Sequence, residues 1–583
     1  MTHADHESLL ATARAWAAED PDPQTAAELG ALLERVADDD NRAAATQELE
    51  DRFSGPLLFG TAGLRAALGA GPHRMNRVVV RRAAAGVAAH VLGVANGAYV
   101  PRAIVGFDAR HNSRIFAEET AAVFTAAGIQ TFLMPSELPT PVLAYAVRAL
   151  ECEVGVMVTA SHNPPQDNGY KVYLGGRAVD DAGRGAQIVA PQDTEIAARI
   201  AAVGPLNSIV LAPEGWNVLP ESIAKDYVTS VIALADRDGF PARDLSIVLT
   251  PLHGVGGRTA QEVLAAAGFG TVHVVAEQAE PDPDFPTVDF PNPEEPGALD
   301  LALAAAVAQD ADLVLANDPD ADRVAVAAKD PATGEWRMLR GDETGALLGQ
   351  HLAARRAHGA TSPGAGSHSE GTVFANSIVS SRLLARVAAT AGIAHAETLT
   401  GFKWISRVPS LAYGYEEALG YCVAPDLVRD KDGISAGLLM AELAAATKAE
   451  GRTLFDLLDD LSLVHGLHAG DQLSVRVGTL GLLGAMMNRL RENPPQSFAD
   501  SAVDVVQDLS LGHAGLPPTD GLLYLTRDDT RVIIRPSGTE PKLKCYLEVV
   551  EPVELAAELD DAKLTARARL DAVLRDVEES LGL

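Results

Sequence analysis

The chain has 583 residues, too long for one hydrophobic core, so several domains are expected. It carries 79 acidic against 47 basic residues, a formal net charge of −32, which argues against nucleic acid or an anionic membrane as partner, since both need a basic footprint. A small anionic substrate stays open, because physiological salt screens the overall field over roughly 8 Å and a local basic pocket governs its own surroundings.

Hydrophobic residues make up 47% and charged residues 22%, an ordinary globular balance. The opening MTHADHESLLATARAWAAEDPDP reads as a polar, capped helix and not as a signal peptide. The Ala-rich segment near Ala83–Ala98 is broken by His90 and Asn96, which argues against a membrane span. The cysteines, Cys152, Cys422 and Cys545, are far apart and odd in number, which fits a reducing, cytoplasmic compartment.

Strand-like apolar runs then alternate with Ala/Leu-rich amphipathic segments, the α/β pattern. RAIVGFDAR predicts a strand and SRIFAEETAAVFTAAG a helix closing on Gly128. EVGVMVTASHNPP predicts a strand running into a loop. Pro164-Pro165 bars a helix or a continued central strand there, so Ser161 is presented on a rigid loop. Lys171 follows behind the turn signal Asp167-Asn168-Gly169. LSIVLTPLHGVGG predicts a strand, a loop and a glycine-rich helix entry, and ADLVLANDPDADRVAVAAKD a strand, an acidic loop and a second strand. A new helix opens around Thr344–Arg355, and AHGATSPGAGSHSEG reads as a flexible surface insertion. RVIIRPSGTEPKLKCYLEVV predicts two strands around a polar loop, followed by a charged helix near Ala562–Leu581. These elements predict three similar α/β domains with mixed sheets and a smaller C-terminal α+β domain. The expected spans are 1–215 (with a helical extension to about 50), 216–338, 339–462 and 463–583. The first three have similar sizes, yet no strict sequence period links them.

Three loops carry chemistry. Asp318, Asp320 and Asp322 alternate after an apolar strand, and in extended backbone such residues point to one side. Three converging carboxylates are unfavourable without a cation, and few hard oxygen donors suit Mg²⁺. An EF-hand is excluded, because its sixth position would be Arg323 instead of Gly and its twelfth Lys329 instead of Glu. The loop RPSGTEPKLK gathers Arg535, Ser537, Gly538, Thr539, Lys542 and Lys544, a phosphate cradle of hydroxyls, flexible backbone and a guanidinium fork. No Gly-Lys dipeptide occurs, so a Walker loop is excluded. Ser161 lacks a G-x-S-x-G elbow, which disfavours a hydrolase triad. A nucleophile, a cation site and an anion anchor on separate strand-end loops are what phosphoryl transfer needs.

The set resembles the α-D-phosphohexomutase superfamily, the phosphoglucomutases and phosphomannomutases, from about Phe59 to about Glu548. TASHNPP resembles its phosphoserine loop, DPDADR its metal loop, GYEEALG (Gly414–Gly420) its sugar-recognition loop and RPSGTEPK its phosphate loop, in the family's order. FGTAGLRAALGAGPHRMN and TLTGFKWI resemble the longer branch, which includes phosphopentomutases and a glucose-1,6-bisphosphate synthase. The resemblance implies four domains around a central cleft, phosphate carried on Ser161, and Mg²⁺ held by that phosphoserine with Asp318, Asp320 and Asp322. It implies His162 and Lys171 as acid/base candidates, and Arg65, Arg323, Thr400, Glu416, Lys431, Arg535, Ser537, Gly538 and Thr539 as substrate contacts. Arg110 and Lys403 rank behind these as loop supports. The implied partner is a small phosphorylated sugar, with a sugar 1,6-bisphosphate as intermediate and activator; nucleic acid and membrane are not expected, and the protein is expected to be a monomer or dimer. The implied reaction interconverts hexose 1-phosphate and 6-phosphate, glucose first, with mannose or pentose phosphates and bisphosphate synthesis as alternatives. A metal-dependent phosphatase is a more remote rival. One departure is Ala418, where many members place a serine; Glu417 and Tyr415 also differ from the shorter bacterial mutases.

Overall fold

The computed structural model describes residues 3–38, 40, 42–60, 63–357, 371–477, 480–537 and 542–582. Three sheets follow one path. Arg102–Phe107 lies parallel to Gln130–Leu133 and Val154–Val158, and Val154–Val158 pairs antiparallel with Asp167–Leu174. Ser246–Thr250 is flanked likewise by parallel Thr271–Val274 and Leu313–Asn317, and the latter by antiparallel Val324–Lys329. Val373–Ser377 lies between parallel Ala394–Thr398 and Leu411–Glu416, and Leu411–Glu416 pairs with antiparallel Gly420–Cys422. Counting these four strands along the chain, each unit has the spatial order fourth, third, first, second. The repeat that sequence periodicity lacks is one of topology. The inner strands are covered on both faces, which is why Val154–Val158 and Leu313–Asn317 read as unbroken apolar runs.

In each unit the third strand ends in the link to its antiparallel neighbour. Those links are residues 159–166, 318–323 and 417–419, and they hold the serine loop, the acidic loop and the glutamate loop. One continuous apolar cluster runs from Ile104, Val142 and Tyr173 through Tyr227, Ile247 and Val263 to Leu347, Tyr413 and Ile434. The three units therefore share a core, and their loops are fixed relative to one another.

The C-terminal sheet is antiparallel throughout, with Arg531–Pro536 and Lys542–Glu551 as its central hairpin and Arg535 opposite Lys544. The helix Leu559–Leu581 buries Ala566, Leu570, Val573 and Val577 against it. At the other end, helices His3–Glu19, Pro23–Ala37 and Arg42–Arg52 enclose a small core of Leu10, Ala13, Leu29, Leu32, Val36, Ala45 and Leu49. Glu28 accepts the Ala70 N–H at 3.1 Å and pairs with Arg52 at 2.7 Å, which sets this extension against the segment after Leu64–Ala67.

Three local expectations change. Asp167-Asn168-Gly169 opens the strand Asp167–Leu174 and is not a turn. Gly169 is there because strands crowd it: a Cβ would lie 2.5 Å from the Thr159 carbonyl oxygen and 2.8 Å from that of Leu64. Asn168 is buried and donates to the His111 carbonyl at 2.8 Å. The Ala-rich segment is not broken at His90. The helix Arg77–Ala95 runs through it and is, by length and composition, apolar enough to cross a bilayer; here Val80, Ala83, Val87 and Val91 pack on Val105, Phe124 and Val156. Finally, the aspartates converge because 318–323 is a turn with Ala321 at φ 55°, not because they alternate on a strand. The insertion read between 357 and 371 lies, apart from its ends, outside the described residues.

Candidate active site

Ser161 sits one turn past its strand at φ 52°, a left-handed conformation that costs a non-glycine residue energy unless its surroundings impose it. Arg110 supplies the constraint. Its guanidinium donates to the carbonyl oxygens of Ser161 at 2.7 Å, Pro164 at 2.8 Å and Asp167 at 3.1 Å, and also to that of Asn163. The ring of Phe285 covers the guanidinium at 4.9 Å, and the Ser161 N–H donates to Thr159 Oγ1 at 2.9 Å. The Ser161 hydroxyl donates to Asp318 Oδ2 at 2.8 Å, and His162 Nδ1 lies 3.2 Å from Ser161 Oγ.

The three aspartates are fully buried or nearly so, with one ligand oxygen from each inside 4.8 Å of the others. One oxygen each of Asp320 and Asp322, and both of Asp318, have donors already. Asp320 Oδ2 accepts from Lys171 Nζ at 2.6 Å and from the Thr140 hydroxyl, whose own N–H holds the Asp320 carbonyl at 2.9 Å. Asp322 Oδ2 accepts from Lys171 at 2.7 Å and pairs with Lys431 at 3.2 Å. Asp318 Oδ1 accepts the Arg323 N–H at 3.1 Å. Asp320 Oδ1 and Asp322 Oδ1 are buried without a hydrogen-bond partner. Two orphaned carboxylate oxygens beside a third carboxylate and a serine hydroxyl fit a small hard cation.

Charge is distributed unevenly. Burial, then Asp320 and Asp322, push the Asp318 carboxyl well above the usual range. Burial works against the charge on Asp322, but Lys171, Lys431 and Arg323 outweigh it and hold that carboxyl low. Burial likewise opposes the Lys171 ammonium, and Asp320 and Asp322 keep its pKa raised. Burial, then Arg323 and Arg65, hold His162 well below its ordinary value, so its imidazole is neutral near pH 7. The Arg65 guanidinium is disfavoured by burial and by Arg323. Arg65 donates to Asn163 Oδ1 at 3.0 Å, and the Nε atoms of Arg65 and Arg323 have no hydrogen-bond partner. Crowded guanidiniums with free donors make an anion site.

The glutamate loop joins this centre through backbone: Arg323 bridges Gly420, and the Val324 N–H donates to the Leu419 carbonyl at 3.3 Å. Gly433 follows, its N–H donating to Ala321 O at 3.2 Å, and a Cβ there would collide with the Arg323 carbonyl. Burial raises the Glu416 carboxyl, while Lys431 and Arg323 pull it down. Lys431 Nζ also lies 5.4 Å over the ring of Phe402; Thr400 sits part-buried just before the short helix Phe402–Ile405. Lys403 is buried, which lowers its ammonium to about 8, and it lies over Trp404. On the C-terminal hairpin, burial and then Glu417 raise the Tyr546 hydroxyl, and Arg535 hydrogen-bonds it. The Ser537 N–H donates to Lys542 O at 2.7 Å. Gly538 and Thr539 lie outside the described residues.

Sequence reasoning passed over Thr140, Asn163 and Asp430. Asp430 accepts from the Tyr173 hydroxyl at 2.7 Å and from Gln187 at 2.8 Å, tying the third unit to the first. No local pattern marks these residues; Thr140 and Asp320 are 180 positions apart. The one available signal for Thr140 was the Thr-Pro that opens the helix Thr140–Ala149.

Three α/β/α units and an antiparallel C-terminal domain, with a serine, a carboxylate triad and guanidiniums at their meeting loops, define a multidomain phosphoryl-transfer fold. The chain matches the phosphoglucomutase/phosphomannomutase alpha/beta/alpha domain I over residues 56–204, domain II over 225–334, domain III over 340–463 and the C-terminal domain over 486–565. It belongs to the phosphoglucomutase/phosphomannomutase family of intramolecular phosphotransferases. A probable phosphomannomutase of Haemophilus influenzae is 44% identical over 81% of this chain and 93% of that protein. A phosphopentomutase of Mus musculus is 33% identical over 88% of each, and a phosphoglucomutase of Staphylococcus haemolyticus 33% identical over 86% of this chain and 91% of that protein. The crystal structure of a putative phosphomannomutase from Thermus thermophilus shares the fold, with TM-score 0.67, 23% identity and coverage of 90% of this chain and 99% of that one.

Proposed function

We propose that the protein interconverts a hexose 1-phosphate and 6-phosphate, glucose phosphate above all, through a phosphoserine at Ser161 and a sugar 1,6-bisphosphate. The observation that carries this is the meeting of Ser161 Oγ and Asp318 at 2.8 Å beside two orphaned carboxylate oxygens. Asp318, Asp320, Asp322 and the phosphoserine would hold Mg²⁺, which when bound neutralises phosphoryl oxygens. The sugar hydroxyl attacks phosphorus, the Ser161 Oγ–P bond breaks, and its electron pair stays on Oγ. The proton from the attacking hydroxyl passes to His162, whose imidazole is neutral, and the Lys171 ammonium, kept charged by Asp320 and Asp322, is the acid candidate that returns a proton to Oγ. The bisphosphate then turns over and returns its other phosphate to Ser161. Arg65 and Arg323 lie beside the serine loop, Glu416 and Lys431 serve the sugar hydroxyls with Thr400, and Arg535 with Ser537, Gly538 and Thr539 anchors the phosphate that is not reacting. The bond from Arg65 to Asn163 of the serine loop and the placement of Glu416 beside Lys431 and Arg323, together with Arg110 behind Ser161, support this division of roles.

The second reading is a mannose or pentose phosphate substrate. Similarity to proteins named phosphomannomutase and phosphopentomutase favours it, and Ala418, where the loop lacks a hydroxyl, leaves the choice among the three sugars open. Assaying glucose, mannose, ribose and deoxyribose 1-phosphates side by side decides between them. Measuring isomer against free phosphate separates a mutase from a phosphatase, and adding an acyl-phosphate donor tests bisphosphate synthesis. Ser161→Ala should fold and lose nearly all turnover; full mutase activity in that variant sinks the mechanism.

A further inference from the structure

The turn Ser377–Arg382 is gripped from two sides. From the C-terminal domain, Arg531 donates to the carbonyl oxygens of Ile378 at 3.0 Å and Ser380 at 2.6 Å. Glu548 accepts from the Ser381 hydroxyl at 2.7 Å and the Arg382 N–H at 2.9 Å, and lies 3.3 Å from Arg531. Ile378 and Val379 pack on Leu523, Ile533 and Tyr546 of that domain. Arg531 and Glu548 are both 4% exposed, so this is a built interface and not a surface contact. From the other side, the hydroxyls of Ser377 and Ser380 each lie 3.0 Å from Glu417 Oε2, and the Glu417 N–H donates to Ser380 Oγ at 3.1 Å. The Ser381 N–H and the Tyr415 hydroxyl share Asp342 Oδ1, at 2.7 and 2.8 Å.

We infer that this turn couples the seating of the C-terminal domain to the sugar-recognition loop, with Ser380 as the positioning residue. The inference rests on the mutase reading. Ser380 offers its carbonyl to Arg531 and its hydroxyl to Glu417, so one residue links the two sides directly. Arg531 and Arg535 lie four residues apart on one strand, hence on the same side of it. The domain position that presents the Arg535 anchor is therefore the one that holds the Ser380 carbonyl. At the far end Glu417 is next to Glu416, and the loop has no hydroxyl of its own at Ala418 to fix its geometry. A sugar phosphate spanning both contacts would meet an anchor and a loop set together.

Hydrogen exchange of the substrate-free enzyme tests this. Arg531→Lys touches the turn and not residues 414–420, yet it should speed amide exchange there by about tenfold, within the range of couplings between sites. Ser380→Ala should do the same at 414–420 and, reciprocally, at 531–535. Exchange in 159–166 should be unchanged in both. In turnover, Ser380→Ala and Arg531→Lys should each raise KM about tenfold with little change in kcat, and the double variant should be no worse than the worse single. Unchanged exchange at 414–420 in Arg531→Lys, or multiplying KM effects, overturns the coupling. Should Arg531→Lys fail to fold, Glu548→Gln, which keeps an acceptor, takes its place. The exchange arm needs no turnover, so its failure is distinguishable from a wrong choice of reaction.

Discussion

Arg110→Lys tests how Ser161, the proposed nucleophile, is held. Arg110→Ala is less informative, since it also strips the counter-charge from Asp108, 3.5 Å away and equally buried. Lysine keeps that charge but not the planar fork that reaches four carbonyl oxygens of the serine loop. An ammonium on this stem satisfies two of them at best, so two bonds are lost. Bonds from a charged donor contribute about 1.5–3 kcal/mol each, hence roughly 3–6 kcal/mol before water refills the space. If half is recovered, about 1.5–3 kcal/mol of restraint on the loop is gone, and Ser161 can leave its left-handed conformation. A displacement of about 1 Å at a reacting atom costs around a hundredfold. We expect kcat to fall about a hundredfold and KM to change less than about threefold, because Arg110 spends its donors on the loop backbone. The assay is a coupled rate measurement with added sugar bisphosphate to keep the serine charged. An Arg110→Lys enzyme with undiminished kcat would refute the idea that this fork holds the nucleophile in place.

Asp320→Asn should weaken Mg²⁺ binding by calorimetry and chelation should abolish activity reversibly; undiminished turnover in metal-free buffer would reduce the triad to an acidic turn. Thr140→Val should also weaken Mg²⁺ about tenfold, with Thr140→Ser restoring it, since the hydroxyl holds one Asp320 oxygen away from the cation. Arg535→Ala should impair the 1-phosphate and 6-phosphate directions by similar factors, roughly ten- to a hundredfold in kcat/KM, because on the proposed mechanism one anchor serves both orientations; a loss confined to one direction contradicts a shared anchor. Burial, opposed by the Ser381 N–H, raises the Asp342 carboxyl to about 7. The folded state therefore keeps a proton that the unfolded chain releases near pH 4, and the stability this gives at low pH is lost as pH rises from about 4 through 7. Asp342→Asn retains the acceptor and should flatten that dependence, gaining on the order of 2 kcal/mol over wild type at pH 8 relative to pH 5 in urea unfolding.

The strands were legible because buried parallel strands leave continuous apolar runs, as in Val154–Val158 and Leu313–Asn317. The loops were legible because each concentrates its polar residues within a few positions. The geometry inside them was not. Asp318, Asp320 and Asp322 suggested an alternating strand, but the chain turns at Ala321 and brings them together by curvature. Asp167-Asn168-Gly169 has the composition of a turn, yet the close approach of two neighbouring strands demands a glycine and buries the asparagine. In both cases tertiary packing decided between two local meanings of the same residues.

Glu416 and Glu417 show where sequence reasoning stops. Adjacent in GYEEALG, they have the same charge and the same reach, and only the family resemblance, not their local chemistry, singles out Glu416. On a strand end, successive side chains point to opposite sides. Glu416 faces Lys431 and Arg323, cations that oppose the burial by which its carboxyl is raised. Glu417 faces Ser377 and Ser380, whose hydroxyls take up its oxygen before a ligand arrives. On the proposed mechanism the first receives sugar hydroxyls, and the second fixes the loop that presents it. The distinction depends on partners about forty residues upstream, on the parallel strand next to Leu411–Glu416, and arises only when that strand pair forms.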